Sequence, residues 1–348
     1  MRESLLMYID KTVFLRDDSL VILDRRRFPH EVVPVICSDY EEVAKCIEDM
    51  VVQGAGDIAI TAGYGLYLAA RHIEGLGEIS TYKAIEYLQR VKRRLVNTRP
   101  TGFHTAVLLE HILGKLDWES YSWSEQILQY ITGVIRKREI RSELTGKWAE
   151  TLLQEGDCIL THCFPGPALL HMLKFAIKHN KKIKLMATET RPYLQGARLT
   201  AWAASELGVP VTLITDNMAA YCMSQGMISK VFTAADRIAI DGTAANKIGT
   251  FQLALAAKYH NLPFYILGYG GPDKNCPGGK DIPIEMRDPD EVLNFNGIRI
   301  SGDKVQGFYP AFDLTPPALV DGVITDRGII PATEVENYWS LPLKESED

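Results

Sequence analysis

The chain reads as an α/β protein. A C-terminal Rossmann-like, mostly parallel sheet with helices on both faces follows a smaller, mainly helical N-terminal domain with a short β hairpin. Three observations predict this. From Gly156 onward, short apolar runs alternate with helix-length segments, which implies right-handed crossovers and a parallel sheet. Between Tyr40 and Gln154 the apolar residues recur at helical spacing. Ahead of them, two short apolar runs flank Asp17-Asp18-Ser19, a sequence suited to a hairpin turn. The length of 348 residues fits two domains, divided here as 1–130 and 131–348.

In chain order, the hairpin strands are expected at 12–15 and 20–24. Val43, Ile47, Met50 and Val51 then form one helical stripe, with Ser38 or Asp39 available as its cap. Gln53-Gly54-Ala55-Gly56-Asp57 punctuates the chain, an Ala-rich helix covers 58–73, and further helices cover 81–97, 103–115 and 124–154. No strand is expected between 30 and 155. Beyond Gly156 the strands are 158–162, 183–188, 210–215, 229–232 with 237–240, 263–268 and 320–325. Helices are expected at 167–179, 195–207, 217–226 and 249–260. Residues 269–318, rich in Gly, Pro and Asp, read as loops with a short helix near 288–293, and the tail from Lys344 is expected to fray.

The net charge of −6 offers no footprint for nucleic acid, and Arg25-Arg26-Arg27 reads as a solvated corner. Six scattered cysteines without a C-x-x-C pair fit reduced thiols in the cytoplasm, and no cluster has zinc-ligand spacing. Charges interrupt the N-terminal apolar run, and no apolar run is long enough for a membrane span.

Four polar clusters fall just after predicted strands: Thr161-His162-Cys163, Thr188 through Gly196, Thr215-Asp216-Asn217, and Ala235-Asp236 with Asp241 through Thr250. Taken singly, Thr188 or Asp216 reads as a helix cap. Four clusters at one rim of a parallel sheet make a cleft. Cys163, placed where a helix follows, is expected to feel the helix's positive end and lean toward the thiolate. Asn246-Lys247 ahead of Gly249 offers a cation and backbone N–H groups to an anion. Neither G-x-G-x-x-G after the first strand nor a P-loop is present, so a small phosphorylated metabolite fits better than a nucleotide. Arg99, between two helix termini, suits a phosphate clamp.

Longer motifs carry a resemblance. Gln53-Gly54-Ala55, Thr98-Arg99-Pro100-Thr101, Leu160 to Cys163, Glu189 to Thr200 and Leu213 to Ala219 are similar to landmarks of the methylthioribose-1-phosphate isomerases. So are Ala235 to Ala239, Asn246 to Thr250, Pro310 to Pro316 and Ile324 to Gly328. That family shares a superfamily with ribose-1,5-bisphosphate isomerases and regulatory subunits of translation initiation factor 2B. The resemblance implies a homodimer that turns an aldose 1-phosphate into a ketose 1-phosphate without metal, nucleotide or other cofactor, with a place in methionine salvage. It implies Cys163 and Asp236 as the catalytic pair, and Gly54, Ala55, Arg99, Gln195, Asn246 and Lys247 as substrate contacts.

Two departures stand out. The family usually has Arg-Gly-Ala-Pro where this chain has Gln53-Gly54-Ala55-Gly56, which removes a bidentate phosphate ligand. Phe164-Pro165-Gly166 replaces the usual Asn-Ala-Gly turn and favours an apolar C5 substituent, methylthio or plain methyl, over a second phosphate. By contrast, Gly54-Ala55-Gly56 and Ile284 through Pro289 resemble the bisphosphate branch. The competing expectations are a bisphosphate isomerase, or a non-catalytic regulatory protein that binds a sugar phosphate or a nucleotide.

Overall fold

The computed structural model describes residues 3–77, 79–99 and 103–342. Pro100 and Thr101 of the Arg99 motif, and the tail from Lys344, lie outside the described residues. The chain forms two compact units: Tyr8–Glu139, and Ile140 onward together with the residues up to Met7. The expected boundary at 130/131 falls within a long helix, and the observed one lies nine residues further along that helix.

The first unit opens with β1 (Val13–Arg16) and β2 (Ser19–Leu23), antiparallel around a turn in which Asp17 has φ +53°. Contrary to expectation, a third strand, β3 (Pro34–Cys37), pairs with β2. Its proline and its alternating exposure hid it, since Pro is tolerated at a strand's start on a sheet edge. Asp39 caps α1 (Tyr40–Glu48) by accepting from the Glu42 N–H at 2.9 Å. α2 (Ala55–Gly75), α3 (Thr81–Asn97), α4 (Phe103–Leu113) and the start of α5 (Trp123–Glu150) complete the unit. α2 is buried almost all round, so its apolar character is continuous instead of striped.

The second unit alternates as the sequence predicts. β4 (Cys158–Thr161), α6 (Pro167–Lys178), β5 (Lys184–Thr188), α7 (Trp202–Glu206), β6 (Val211–Ile214), α8 (Ala219–Ser224) and β7 (Lys230–Ala234) come first. After β8 (Arg237–Ile238) and β9 (Ala244–Lys247) come α9 (Thr250–Tyr259), β10 (Phe264–Tyr269) and α10 (Asp290–Leu293). β11 (Asn294–Phe295), β12 (Ile298–Arg299), β13 (Phe312–Thr315), β14 (Gly322–Thr325) and β15 (Gly328–Ile330) follow. The seven-stranded sheet runs β15-β14-β10-β7-β4-β5-β6, parallel except for β15. Its inner strands β4, β5 and β7 are buried on both faces, as parallel strands covered by helices must be, while the edge strand β6 is partly exposed.

Two expectations for this unit fail. Arg237-Ile238 does not extend the main sheet; β8 joins β9 and β13 in a separate antiparallel sheet. Residues 269–318 are not all loop, since they hold the β11–β12 hairpin and β13. The ladder of β9 with β13 buries polar and small residues that carry no strand signal in sequence.

Candidate active site

The topology places the pair. The chain enters the sheet at β4, moves outward through β5 and β6, then returns to β7 on the other side of β4. In open α/β sheets the crevice beyond the carboxyl ends at such a reversal is where ligands bind. β4 and β7 are neighbours in register, Thr161 opposite Phe232. Cys163 stands two residues past the end of β4, and Asp236 two residues past the end of β7. The Asp236 backbone is fixed in turn by its N–H donating to the Ala245 carbonyl of β9 at 2.8 Å.

Cys163 is held in a strained pose. Its φ is +61°, a left-handed conformation that costs a non-glycine residue roughly 1–3 kcal/mol and persists only where the surroundings enforce it. Two threonines do so. The Cys163 N–H donates to Thr190 Oγ1 at 2.9 Å, and the Thr200 hydroxyl donates to the Cys163 carbonyl at 2.5 Å. Asp216 holds that loop from below by accepting from the Thr190 and Arg191 N–H groups, both at 2.7 Å. Gly196 lets the loop press onto β5, because a Cβ there would meet the Thr188 carbonyl at 1.8 Å. Neither Asp216 nor Thr188 caps a helix as expected: Asp216 ties down the loop after β5, and Thr188 bonds the His162 ring.

His162 is a strut. Its Nε2 lies 2.9 Å from the Ile248 carbonyl and its Nδ1 lies 2.6 Å from Thr188 Oγ1. A carbonyl only accepts, so Nε2 carries the proton. Burial keeps the ring neutral, and Nδ1 accepts from Thr188. The ring thus ties the end of β4 to β5 and to the approach to α9.

The thiolate expectation for Cys163 is overturned. Burial pushes the thiol up to about 11; the Lys247 ammonium and the Phe164 N–H pull it back, and Asp236 pushes it further up. Desolvation outweighs the helix, whose Ala168 N–H donates to the Tyr269 hydroxyl at 3.2 Å. Cys163 is a protonated thiol near neutral pH.

Lys247 is buried, and among the described residues no carboxylate lies within ion-pairing distance of it. Its Nζ is 3.5 Å from the Tyr309 hydroxyl. Burial lowers its pKa, while Cys163 and Asp236 act in the opposite sense. Beside it, the Asn246 amide donates to Thr250 Oγ1 at 2.9 Å. Gln195, on the loop that clamps Cys163, is buried with its side-chain oxygen unpartnered. The N–H groups expected to greet an anion at the start of α9 are taken. Asp313 accepts from Gly249 at 2.7 Å and from Phe251 at 3.2 Å. Burial raises the Asp313 carboxyl to about 6 in spite of those bonds.

Sequence reasoning missed a cluster beside Lys247. Arg287 donates to the Tyr193 hydroxyl at 2.5 Å, and that hydroxyl donates to Glu291 at 2.6 Å. Tyr309, also near, is raised by burial, and Arg287 opposes the rise. The signal was the Ile284–Pro289 stretch, noticed only as a mark of branch.

In the helical unit, Gly54 (φ +99°) and Ala55 open α2, and Arg99 follows α3 with Nη1 2.7 Å from Met50 Sδ. Gln53 does not stand in for the missing arginine, because its buried amide donates to the Met50 carbonyl at 3.2 Å. The solvated-corner expectation fails for Arg25, which is only 2% exposed. It donates to the Gln53 carbonyl and pairs with Asp57 at 2.5 Å, and Arg138 grips the other oxygen of Asp57. Arg138 lies so close to Gly56 that a Cβ there would come within 3.0 Å of its guanidinium carbon.

The Rossmann-like unit therefore presents a thiol, a carboxylate and a buried cation at a sheet's switch point, the makings of an acid–base enzyme for a small anion. Comparison with known proteins narrows this. The model of the initiation factor 2 subunit family matches residues 51–332. A methylthioribose-1-phosphate isomerase of Thermosipho africanus is 40% identical over 93% of this chain and 96% of its own length. That of Fervidobacterium nodosum is 41% identical, over 93% and 95%. The 5-methylthioribose 1-phosphate isomerase structure from Pyrococcus horikoshii superposes with TM-score 0.83 at 35% identity, covering 94% of each chain. A structure described as translation initiation factor eIF-2B subunit delta, from A. fulgidus, gives 0.80 at 32%, covering 95% and 99%. The chain belongs to the initiation factor 2 subunit family, among its methylthioribose-1-phosphate isomerases, and is an enzyme, an aldose–ketose isomerase. Among the described residues, no helix is long and apolar enough to cross a membrane.

Proposed function

We propose that this isomerase converts 5-methylthioribose 1-phosphate, or a 5-deoxyribose-type 1-phosphate, to the ketose 1-phosphate, with Cys163 and Asp236 as the catalytic pair. The observation that carries this is the matched placement of the two groups, each two residues past adjacent strands at the sheet's reversal, beside buried Lys247. The protonated Cys163 thiol gives its proton to the ring oxygen as the C1–O bond of the ring breaks. The Asp236 carboxylate takes the 2-hydroxyl proton as C2 becomes a carbonyl, and the C2 hydrogen moves to C1. No atom is gained or lost, and proton exchange with solvent resets both groups. Lys247, Asn246 and Gln195 bind the substrate; Gly54, Ala55 and Arg99 are substrate contacts by resemblance alone. The unpartnered oxygen of Gln195 fits a sugar hydroxyl. By resemblance, the enzyme works as a homodimer without a cofactor; its scattered cysteines fit the cytoplasm.

A cavity of about 190 Å³, walled by Pro192, Ile248, Val292, Phe308, Tyr309 and Pro310, supports an apolar C5 substituent. Arg191 also borders it, but its guanidinium is committed to the Pro192, Val292 and Asn294 carbonyls. The test is kcat/KM on 5-methylthioribose 1-phosphate, 5-deoxyribose 1-phosphate and ribose 1,5-bisphosphate. The methylthio sugar is expected to lead the bisphosphate by about tenfold or more; a preference for the bisphosphate overturns the substituent reading.

A further inference from the structure

Lys247 is a buried cation whose environment is aromatic. Its Nζ lies 5.0 Å from the centroid of the Phe312 ring and 5.7 Å from that of Tyr309, with the Tyr309 hydroxyl at 3.5 Å. The fold builds this surrounding from two places. Phe312 is the direct cross-strand partner of Lys247 in the β9–β13 ladder. Tyr309 is 3% exposed, and its carbonyl accepts from the Arg287 N–H at 2.9 Å. The titratable groups that face Lys247 come from several elements: His162 and Cys163 after β4, Asp236 after β7, Glu285 and Arg287 ahead of α10, Tyr309, and Asp313 on β13. None of the carboxylates among them closes to an ion pair with it.

We propose that Tyr309 and Phe312 are positioning residues, an aromatic cradle that keeps Lys247 charged and aimed while leaving the substrate's phosphate as its counter-ion. Ring quadrupoles attract a cation without consuming it, whereas a carboxylate at the same place would neutralise it and compete with phosphate. A phosphate then displaces no ion pair on binding. The inference rests on the sugar-phosphate reading above; it gives Phe312 a first role and Tyr309, a wall of the apolar cavity, a second.

The test is steady-state kinetics of Phe312→Leu, Phe312→Tyr and Tyr309→Leu across pH. Removing the ring in Phe312→Leu should raise KM about tenfold with kcat little changed, and move the alkaline limb of kcat/KM to lower pH. Phe312→Tyr, which keeps a ring, should restore both. A folded Phe312→Leu enzyme with wild-type KM and alkaline limb overturns the cradle. If Phe312→Leu fails to fold, Tyr309→Leu decides: a raised KM with the alkaline limb moved to lower pH supports the cradle, and an unchanged KM and pH profile overturns it. Should the wild type turn over no sugar phosphate, the functional reading fails and calorimetry with inorganic phosphate judges the cradle. Weaker phosphate binding by Phe312→Leu than by wild type supports it, and equal binding overturns it.

Discussion

Two buried charges, one in each unit, are treated in opposite ways. Asp57, in the first turn of α2, is 6% exposed and gripped by two guanidiniums. Burial opposes its ionisation, but Arg138 and Arg25 together hold the carboxyl below its usual range. Lys247 is 7% exposed and has rings and a hydroxyl where a carboxylate could have been. A saturated buried charge braces its surroundings; one with no counter-ion among the described residues is kept for something that arrives. Burial alone would have ranked the two alike.

The largest effect that sharpens this contrast is expected at Asp57. Asp57→Asn leaves Arg25 buried beside a neutral amide and should cost about 3–5 kcal/mol in denaturant unfolding; a loss under 1 kcal/mol would mean that the triad is not a brace. His171 of α6 is a third kind of buried group, kept neutral. Burial lowers its pKa to about 4, with Lys174 pushing the same way and Glu3 the other. The unfolded chain binds the proton more readily, so this stabilisation is intact above about pH 6.5 and is lost as pH falls toward 4. The loss amounts to about 3 kcal/mol. Asp313, raised to about 6, acts in the opposite direction, losing stability as pH rises from about 4 to 6. The difference between wild type and His171→Phe therefore carries the result, and it should widen on the alkaline side of that window.

Lys247→Met should lower kcat/KM about a hundredfold while leaving the melting temperature equal or higher, the reverse of Asp57→Asn. A marked loss of stability would place Lys247 with the braces. The smallest effect is the cap of α1. Asp39→Ala should cost about 1 kcal/mol without touching activity.

Much of this was legible in sequence, and for stated reasons. Parallel strands buried on both faces are short apolar runs, so β4, β5, β7 and β10 stood out, and Cys163 and Asp236 could be placed at their ends. β9 could not, because Ala244-Ala245-Asn246-Lys247 has no apolar alternation and is buried by its partners β8 and β13. Tyr309 and Arg287 were missed for the same cause: they lie in a Gly- and Pro-rich stretch whose order comes from tertiary contacts. Asp313 was invisible as a cap because it crosses from another strand to reach Gly249 and Phe251. The thiolate expectation failed because desolvation of Cys163 outweighs the help of the Lys247 ammonium.

The central claim is that a protonated thiol and a carboxylate, each two residues past the end of the neighbouring strands β4 and β7, carry out the isomerisation. Its most direct test is turnover of 5-methylthioribose 1-phosphate, followed by NMR, for wild type, Cys163→Ser and Asp236→Asn at matched melting temperatures. The account predicts rapid conversion to the ketose 1-phosphate by wild type, and a fall of about 10²–10⁴-fold in each folded variant. Wild-type rates in either variant would contradict it.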